Sequence, residues 1–229
     1  MKVIILAGGL GSRLSELTKL VPKPMVKIVN LPIIVRIIKY YNKFGFKEFL
    51  IAGGYKHKIL KDYFNKNLNN SKIKVVNTGI NSMTGGRIKK LEKFIGNNQF
   101  MLTYGDGLSN VNLNKLIKFH NRSKNIVTLT AVRPPARFGG LKLKGKKVKY
   151  FKEKFSLDEG WINGGFFVME PKIFSFIKNS KTVLEREPLE KICKNNKLGA
   201  FKHTGEWQCM DTIRDKVKLE DMVKKKIFN

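Results

Sequence analysis

The stretch Leu6-Ala7-Gly8-Gly9-Leu10-Gly11-Ser12-Arg13-Leu14, with Pro22-Lys23-Pro24-Met25 a few residues after it, is the most informative part of this sequence. It follows a short apolar run, which is typical of a buried strand. Glycines after a strand let the backbone approach a ligand, and N–H groups in such loops often face phosphates. Arg13 adds a planar charged fork, and Lys23 adds a compact charge. A glycine-rich turn without a ligand is the alternative, but the two cations favour a triphosphate site.

Other phosphate-binding motifs do not fit this stretch. A P-loop requires Gly-x-x-x-x-Gly-Lys-Ser/Thr, which the sequence lacks. A dinucleotide fingerprint requires Gly-x-Gly-x-x-Gly and an acidic residue after the next strand. The next predicted strand, at residues 48–52, ends in Gly53-Gly54-Tyr55 instead. Because Pro24 follows Lys23, we also expect an extended backbone at Lys23, which would aim its side chain in advance.

Composition limits the kind of protein this chain can be. Its 229 residues suit one sizeable domain. The net charge of +29 is spread along the whole chain, without a concentrated basic arm. We interpret this charge as a positive field around a site for phosphorylated ligands such as a triphosphate, and we expect no specific nucleic-acid partner. A basic nucleic-acid-binding protein on a related scaffold is the alternative from another class.

The sequence lacks the patterns that are typical of a membrane span, a signal peptide or a zinc site. No apolar run approaches the roughly 20 residues that span a bilayer, so no membrane partner is expected. The N-terminus is interpreted as a strand rather than a signal peptide, and the two cysteines are interpreted as reduced thiols of a cytoplasmic protein. The cysteines and the three histidines are too scattered to suggest a zinc site.

Strand-like and helix-like segments alternate along the chain. The alternation predicts an α/β fold with a mostly parallel sheet and helices on both faces. We expect a single domain, 1–229, whose part at about 1–135 binds the nucleotide and whose part at about 136–229 is an elaboration that binds the acceptor. The predicted strands lie at 2–6, 49–52, 74–77, 100–104, 126–132 and 162–169, with a hairpin at 141–151. The predicted helices lie at 33–41, 57–65, 84–94, 113–122, 171–177, 187–195 and 214–224.

Two aspartates are candidates for holding a cation. Asp106 lies between two glycines after a predicted sheet strand, at the edge where parallel sheets bind ligands. Asp211 precedes the last predicted helix. One carboxylate from each half of the chain would suit Mg²⁺, which uses one or two carboxylates and phosphate oxygens. The alternatives are an Asp-Gly turn at Asp106 and a helix cap at Asp211.

These motifs together resemble the glucose-1-phosphate cytidylyltransferase family, within the sugar-phosphate nucleotidyltransferases. The resemblance covers nearly the whole chain and rests also on Ser82-Met83-Thr84-Gly85-Gly86-Arg87 and on 207–214. It implies a Rossmann-like nucleotide-diphospho-sugar transferase fold, a mostly parallel mixed sheet flanked by helices. It further implies transfer of CMP from CTP to a sugar 1-phosphate, with Mg²⁺ as cofactor and with a possible homo-oligomer.

The resemblance also implies roles for individual residues. Arg13 and Lys23 would be catalytic, and Asp106 and Asp211 would hold the metal. The residues of the nucleotide site would be Leu6, Gly8, Gly9, Gly11, Ser12, Arg13, Lys23, Ser82, Thr84, Arg87, Thr103 and Gly105. The residues of the sugar-phosphate site would be Tyr104, Lys154, Asn163 and Gly165.

Some of these residues have simpler interpretations, and some segments depart from the family. Lys154 could be a solvated charge, Asn163 a turn residue, and Arg87 a charge on an exposed helix face. Glu153-Lys154-Phe155 stands where the family has Glu-Lys-Pro, and the connection before residue 72 is short. These departures leave the identity of the phosphorylated acceptor and the oligomeric state open.

Overall fold

The computed structural model describes residues 1–66, 72–134, 140–152 and 160–228. The strands are β1 (Val3–Ala7), β2 (Lys27–Ile28), β3 (Leu31–Pro32), β4 (Glu48–Gly53), β5 (Lys72–Asn77), β6 (Phe100–Tyr104), β7 (Gly107–Ser109), β8 (Val127–Val132), β9 (Gly140–Lys144), β10 (Lys147–Lys152), β11 (Ile162–Asn163), β12 (Phe167–Met169), β13 (Leu198–His203) and β14 (Trp207–Cys209). The α-helices are α1 (Ser15–Thr18), α2 (Ile33–Lys43), α3 (His57–Lys66), α4 (Thr84–Lys89), α5 (Glu92–Ile95), α6 (Leu113–Ser123), α7 (Glu187–Lys194) and α8 (Ile213–Lys224). Short 3₁₀ helices lie at Ser12–Leu14, Lys23–Met25 and Pro171–Phe176.

A mixed sheet forms the centre of the fold. Strands β5, β4, β1 and β6 lie side by side and run parallel. Strand β12 joins β6 antiparallel and also pairs with β8, whose other edge carries the parallel strand β13. The predicted mostly parallel α/β architecture is therefore confirmed, and the antiparallel pairs of this central sheet are those made by β11 and β12.

Alternation along β1 places one hydrophobic layer on each face of the sheet. Val3, Ile5 and Ala7 belong to a core with residues of α2, α6 and α8. Ile4 and Leu6 belong to a second core with residues of α4, α5 and α7. Because both faces are covered, a central strand such as β1 is apolar at every position, as its sequence predicts.

Three predicted elements are wrong in their extent or type. The single strand predicted at 162–169 is split into β11 and β12, because Gly165 and Phe166 adopt positive φ angles of 77° and 50°. The helix predicted at 84–94 is two short helices, α4 and α5. The segment Pro171–Phe176 is a 3₁₀ helix. The predicted hairpin is confirmed as the antiparallel pair β9 and β10.

Some predictions fall outside the described residues. These are Lys154 with its neighbours 153 and 155, and residues 68–71 of the short connection. Within the described ranges, none of the helices combines the length and the apolar character that a bilayer crossing requires.

Candidate active site

An open cleft of about 380 Å³ lies at the carboxyl ends of β1 and β6. This is the edge at which parallel sheets bind ligands. The cleft brings together most of the predicted site residues. Those that line it are Leu6, Gly8, Gly9, Gly11, Ser12, Arg13, Lys23, Ser82, Thr84, Arg87, Tyr104, Gly105 and Asp106.

The glycines of the first loop serve different purposes. Gly11 has a φ of 69°, which favours glycine, and a side chain there would crowd Thr18 and Lys23. Gly9 is exposed, with open space around it. Gly8 has no such space, because a Cβ on it would lie 2.1 Å from the guanidinium of Arg87. The loop is thus shaped in part by an arginine from α4.

Arg87 joins the glycine-rich loop to the segment Thr78-Gly79 through hydrogen bonds. Its side chain is 4% exposed. The guanidinium donates to the carbonyl of Gly8 at 2.8 Å, to Thr78 Oγ1 at 2.7 Å and to the carbonyl of Gly79 at 2.8 Å. Burial lowers the pKa of Arg87, although an arginine stays charged at neutral pH. The alternative interpretation of Arg87 as an exposed charge is therefore wrong, and its predicted role in nucleotide binding stays a prediction.

Replacing Arg87 by Met should destabilise the protein. The change leaves the carbonyls of Gly8 and Gly79 without a buried charged donor, which costs about 2–4 kcal/mol of unfolding free energy. For a chain of this size, we expect the thermal midpoint to fall by roughly 5–15 °C. Differential scanning calorimetry measures it, with Arg122→Met on the exposed face of α6 as control. Equal midpoints for the two variants would contradict the role assigned to Arg87.

A cluster of charges lies at one end of the cleft. The ammonium of Lys23 contacts a carboxylate oxygen of Asp106 and lies 2.9 Å from Asp211 Oδ1. Arg13 Nη1 lies 2.9 Å from Asp211 Oδ2. The Lys23 side chain is only 15% exposed, whereas that of Arg13 is 72% exposed. Arg13 can therefore leave Asp211 for a ligand at little cost, because exposed ion pairs contribute about 0–1 kcal/mol.

A two-stranded ribbon explains why Asp106 and Asp211 meet. Strand β7 follows Asp106 directly, and it pairs antiparallel with β14, which precedes Asp211. The amide of Met210 donates to the carbonyl of Asp106 at 2.8 Å. Beyond the ribbon, Asp215 accepts from the amide of Asp211 at 3.1 Å and caps α8. The alternative of a helix cap at Asp211 is wrong, because Thr212 is the N-cap of α8 and Asp215 completes its capping box, whereas the Asp211 carboxylate contacts Lys23.

The charge states of the cluster follow from burial and pairing. Burial alone would lower the pKa of Lys23, but Asp106 and Asp211 outweigh it and the pKa is raised. Burial pushes the pKa of Asp211 upward, yet Lys23 and Arg13 hold it below its ordinary value. Lys23 is therefore an ammonium and Asp211 a carboxylate at neutral pH.

The two aspartates fit a hard divalent cation. Both carboxylates contact the same nitrogen, so they can reach one ion placed between them. The described ranges contain no group of three or more His, Cys, Asp or Glu side chains that could hold a metal. A pair of carboxylates suits Mg²⁺, which completes its coordination with waters and substrate phosphates.

Among the described residues, Asn163 and Gly165 of the predicted sugar-phosphate site lie beside Tyr104. Asn163 Nδ2 donates to the Tyr104 hydroxyl at 3.1 Å, and Asn163 Oδ1 accepts from the amide of Gly165 at 3.0 Å. Asn163 thus makes a turn, as its simpler interpretation states, and it contacts a residue of the cleft wall as well. Thr103 is buried within β6, which places its side chain behind the cleft.

The loop around α4 contains hydroxyls that are already engaged. Ser82 donates to the carbonyl of Thr78. Thr84 Oγ1 donates to Glu185 Oε2 at 2.6 Å and accepts from the amide of Leu184 at 2.9 Å. Sequence reasoning missed Glu185, which stands two residues before α7. One carboxylate in a charged stretch gives no local sign that it faces inward.

Comparison with known proteins agrees with the cleft. Residues 2–215 match the family of nucleotidyl transferases. The chain belongs to this family. It is 41% identical to the glucose-1-phosphate cytidylyltransferase of Salmonella typhimurium, over 98% of this chain and 96% of that protein. It is 36% identical to the D-glycero-alpha-D-manno-heptose 1-phosphate guanylyltransferase of Campylobacter jejuni, over 76% of this chain and 78% of that protein.

A solved structure shares the fold of this nucleotidyltransferase. The crystal structure of HddC from Yersinia pseudotuberculosis superposes with a TM-score of 0.78 at 26% identity, over 97% of this chain and 99% of that one. The structural similarity to HddC therefore extends across both the glycine-rich half and the half that supplies Asn163 and Asp211.

Proposed function

We propose that this nucleotidyltransferase transfers CMP from CTP to a sugar 1-phosphate, with glucose 1-phosphate as acceptor, and releases pyrophosphate. The observation that carries the proposal is the cleft lined by the glycine-rich loop, Lys23 and Asp106, with Asp211 paired to Lys23. The choice of cytosine and glucose is supported by the 41% identity to a glucose-1-phosphate cytidylyltransferase over nearly the full length of both chains.

The reaction requires positioning and charge neutralisation rather than a protein nucleophile. An oxygen of the acceptor phosphate attacks the α-phosphorus of CTP, a new P–O bond forms, and the bond to pyrophosphate breaks in line with it. The loop at residues 8–13 would hold the triphosphate. Arg13 would leave Asp211 and bind the phosphate oxygens of the triphosphate. Lys23 would meet the negative charge that develops at the α-phosphate.

Nucleotidyltransferases generally use a divalent metal, and we propose Mg²⁺ held by Asp106 and Asp211. When bound, such an ion neutralises phosphate charge and orients the triphosphate. Tyr104, Asn163 and Gly165 would form the acceptor side, with Lys154 as a further predicted contact. The positive field of the chain would draw both anionic substrates towards the cleft.

The nucleotide is the first point to test, because the chain is also 36% identical to a guanylyltransferase. We expect kcat/KM for CTP to exceed that for GTP, UTP, dTTP and ATP by about tenfold or more, since tenfold corresponds to only about 1.4 kcal/mol. Pyrophosphate release with glucose 1-phosphate at matched nucleotide concentrations measures the ratios. A preference for GTP would assign the chain to the guanylyl relatives. Turnover of CTP only with another phosphorylated acceptor would retain cytidylyl transfer and replace glucose 1-phosphate.

A further inference from the structure

Glu185 connects two walls of the cleft through its carboxylate. Thr84 Oγ1 donates to Glu185 Oε2 at 2.6 Å, and the Tyr104 hydroxyl donates to Glu185 Oε1 at 2.7 Å. Thr84 opens α4, and Tyr104 ends β6. Both line the cleft, although they are distant in sequence. Hydrogen bonds to an ionised carboxylate are shorter and stronger than neutral ones, so this bridge holds both side chains firmly.

The bridge also decides which way the two hydroxyl protons point. Each hydroxyl has one proton to donate. Thr84 uses its proton on Glu185 and accepts from the amide of Leu184. Tyr104 uses its proton on Glu185 and accepts from Asn163 Nδ2.

We propose that Glu185 is a positioning residue of the transferase site, which fixes the positions and the proton directions of the Thr84 and Tyr104 hydroxyls in the cleft. The proposal rests on the proposed function in assuming that the cleft binds both substrates. Thr84 lies on the side of the cleft that is proposed to bind the nucleotide. Tyr104 contacts Asn163, on the side that is proposed to bind the sugar phosphate. Glu185 therefore holds the two walls in one fixed arrangement, which lowers the entropic cost of binding both substrates together.

Glu185→Gln is the direct test, because it keeps the size of the side chain and replaces one acceptor oxygen by a donor. One of the two hydroxyls must then turn its proton elsewhere. We expect KM for CTP or glucose 1-phosphate to rise about tenfold, with a smaller change in kcat, since a lost bond to a charged group is worth roughly one to two powers of ten. Glu187→Gln is the matched control, because Glu187 pairs with Lys178 and Lys191 on the surface.

A double-mutant cycle separates positioning from a general structural role. In a Tyr104→Phe background, Glu185→Gln should have an effect of about threefold or less on kcat/KM, because only its contact with Thr84 remains to be lost. Thr84→Ser keeps the hydroxyl and should retain kcat/KM within about twofold. Thr84→Val should behave like Glu185→Gln. If Glu185→Gln folds poorly, Glu185→Asp keeps the charge but shortens the reach, and it should raise the same KM.

The outcomes distinguish this proposal from the proposed function. A Glu185→Gln protein whose unfolding midpoint falls while both KM values stay unchanged would overturn the positioning role. Full additivity in the cycle with Tyr104→Phe would do the same. If the unmodified protein prefers another nucleotide, the proposed function fails, and the same cycle is measured with that nucleotide.

Discussion

Lys23→Ala lowers kcat by roughly 10²–10³ and raises KM for CTP far less, if the ammonium stabilises charge that develops in the transition state. Lys23 is the cation placed deepest in the cluster, with a side chain 15% exposed. It contacts both Asp106 and Asp211. A group held in this way needs little reorganisation when the reaction begins, which is the condition under which an electrostatic contribution is large.

The source of this preorganisation differs from the one predicted from the sequence. The expectation of an extended backbone at Lys23 is wrong, because Lys23 begins the 3₁₀ helix Lys23–Met25. Pro22, just before it, is extended with a ψ of 150°. The side chain is aimed by the two carboxylates that it pairs with. Its raised pKa keeps it charged throughout the neutral pH range.

Two measurements check the role of Lys23. Rapid-quench single turnovers at saturating CTP report the chemical step, and steady-state pyrophosphate release reports KM. Lys23→Arg should rescue little, because a planar fork does not fit the place of a compact ammonium between two carboxylates. Lys19→Ala, which removes an exposed lysine near the same loop, serves as the control for net charge. Unchanged single-turnover rates in Lys23→Ala would mean that Lys23 only attracts CTP.

The sequence predicted those parts of the fold and site whose structure is determined by a few neighbouring residues. Apolar runs defined the central strands, and the glycines with Arg13 defined the first loop, because each signal lies within a few neighbouring residues. The predicted strand at 162–169 failed where Phe166 adopts a positive φ, which an aromatic residue does not signal. The short ribbon strands β7 and β14 carry no periodic pattern that could be recognised.

The features of the site that the sequence did not predict depend on contacts between residues that are far apart in the chain. Arg87 and Glu185 look like surface charges in a chain with so many lysines. Their importance comes from what packs around them: Gly8 and Gly79 around Arg87, and Thr84 and Tyr104 around Glu185. These partners are set by the order of strands in the sheet. The sequence supplied the pair Asp106 and Asp211 as candidates, and the ribbon that joins them became visible only in the structure.

Replacing Asp106 or Asp211 by Ala should lower kcat by at least about 10²-fold, because each removes one of the two carboxylates proposed to hold the divalent ion. Either variant should need more Mg²⁺ for half-maximal rate. The fold should persist, since Lys23 keeps one partner in each case and the ribbon is joined through backbone atoms. Circular dichroism checks the fold, and a Mg²⁺ titration of pyrophosphate release checks the metal.

The two aspartate variants should differ in a way that depends on Arg13. Asp211 pairs with both Lys23 and Arg13, whereas the described contacts of Asp106 join it to Lys23. Asp211→Ala therefore frees Arg13 for the triphosphate, and its KM for CTP should rise less than that of Asp106→Ala. Asp221→Ala is the control, because Asp221 is 66% exposed on α8 and pairs loosely with Lys225. Full activity of Asp106→Ala in Mg²⁺ would show that the ion is held elsewhere, and Lys23 would then pair with Asp106 for structural reasons alone.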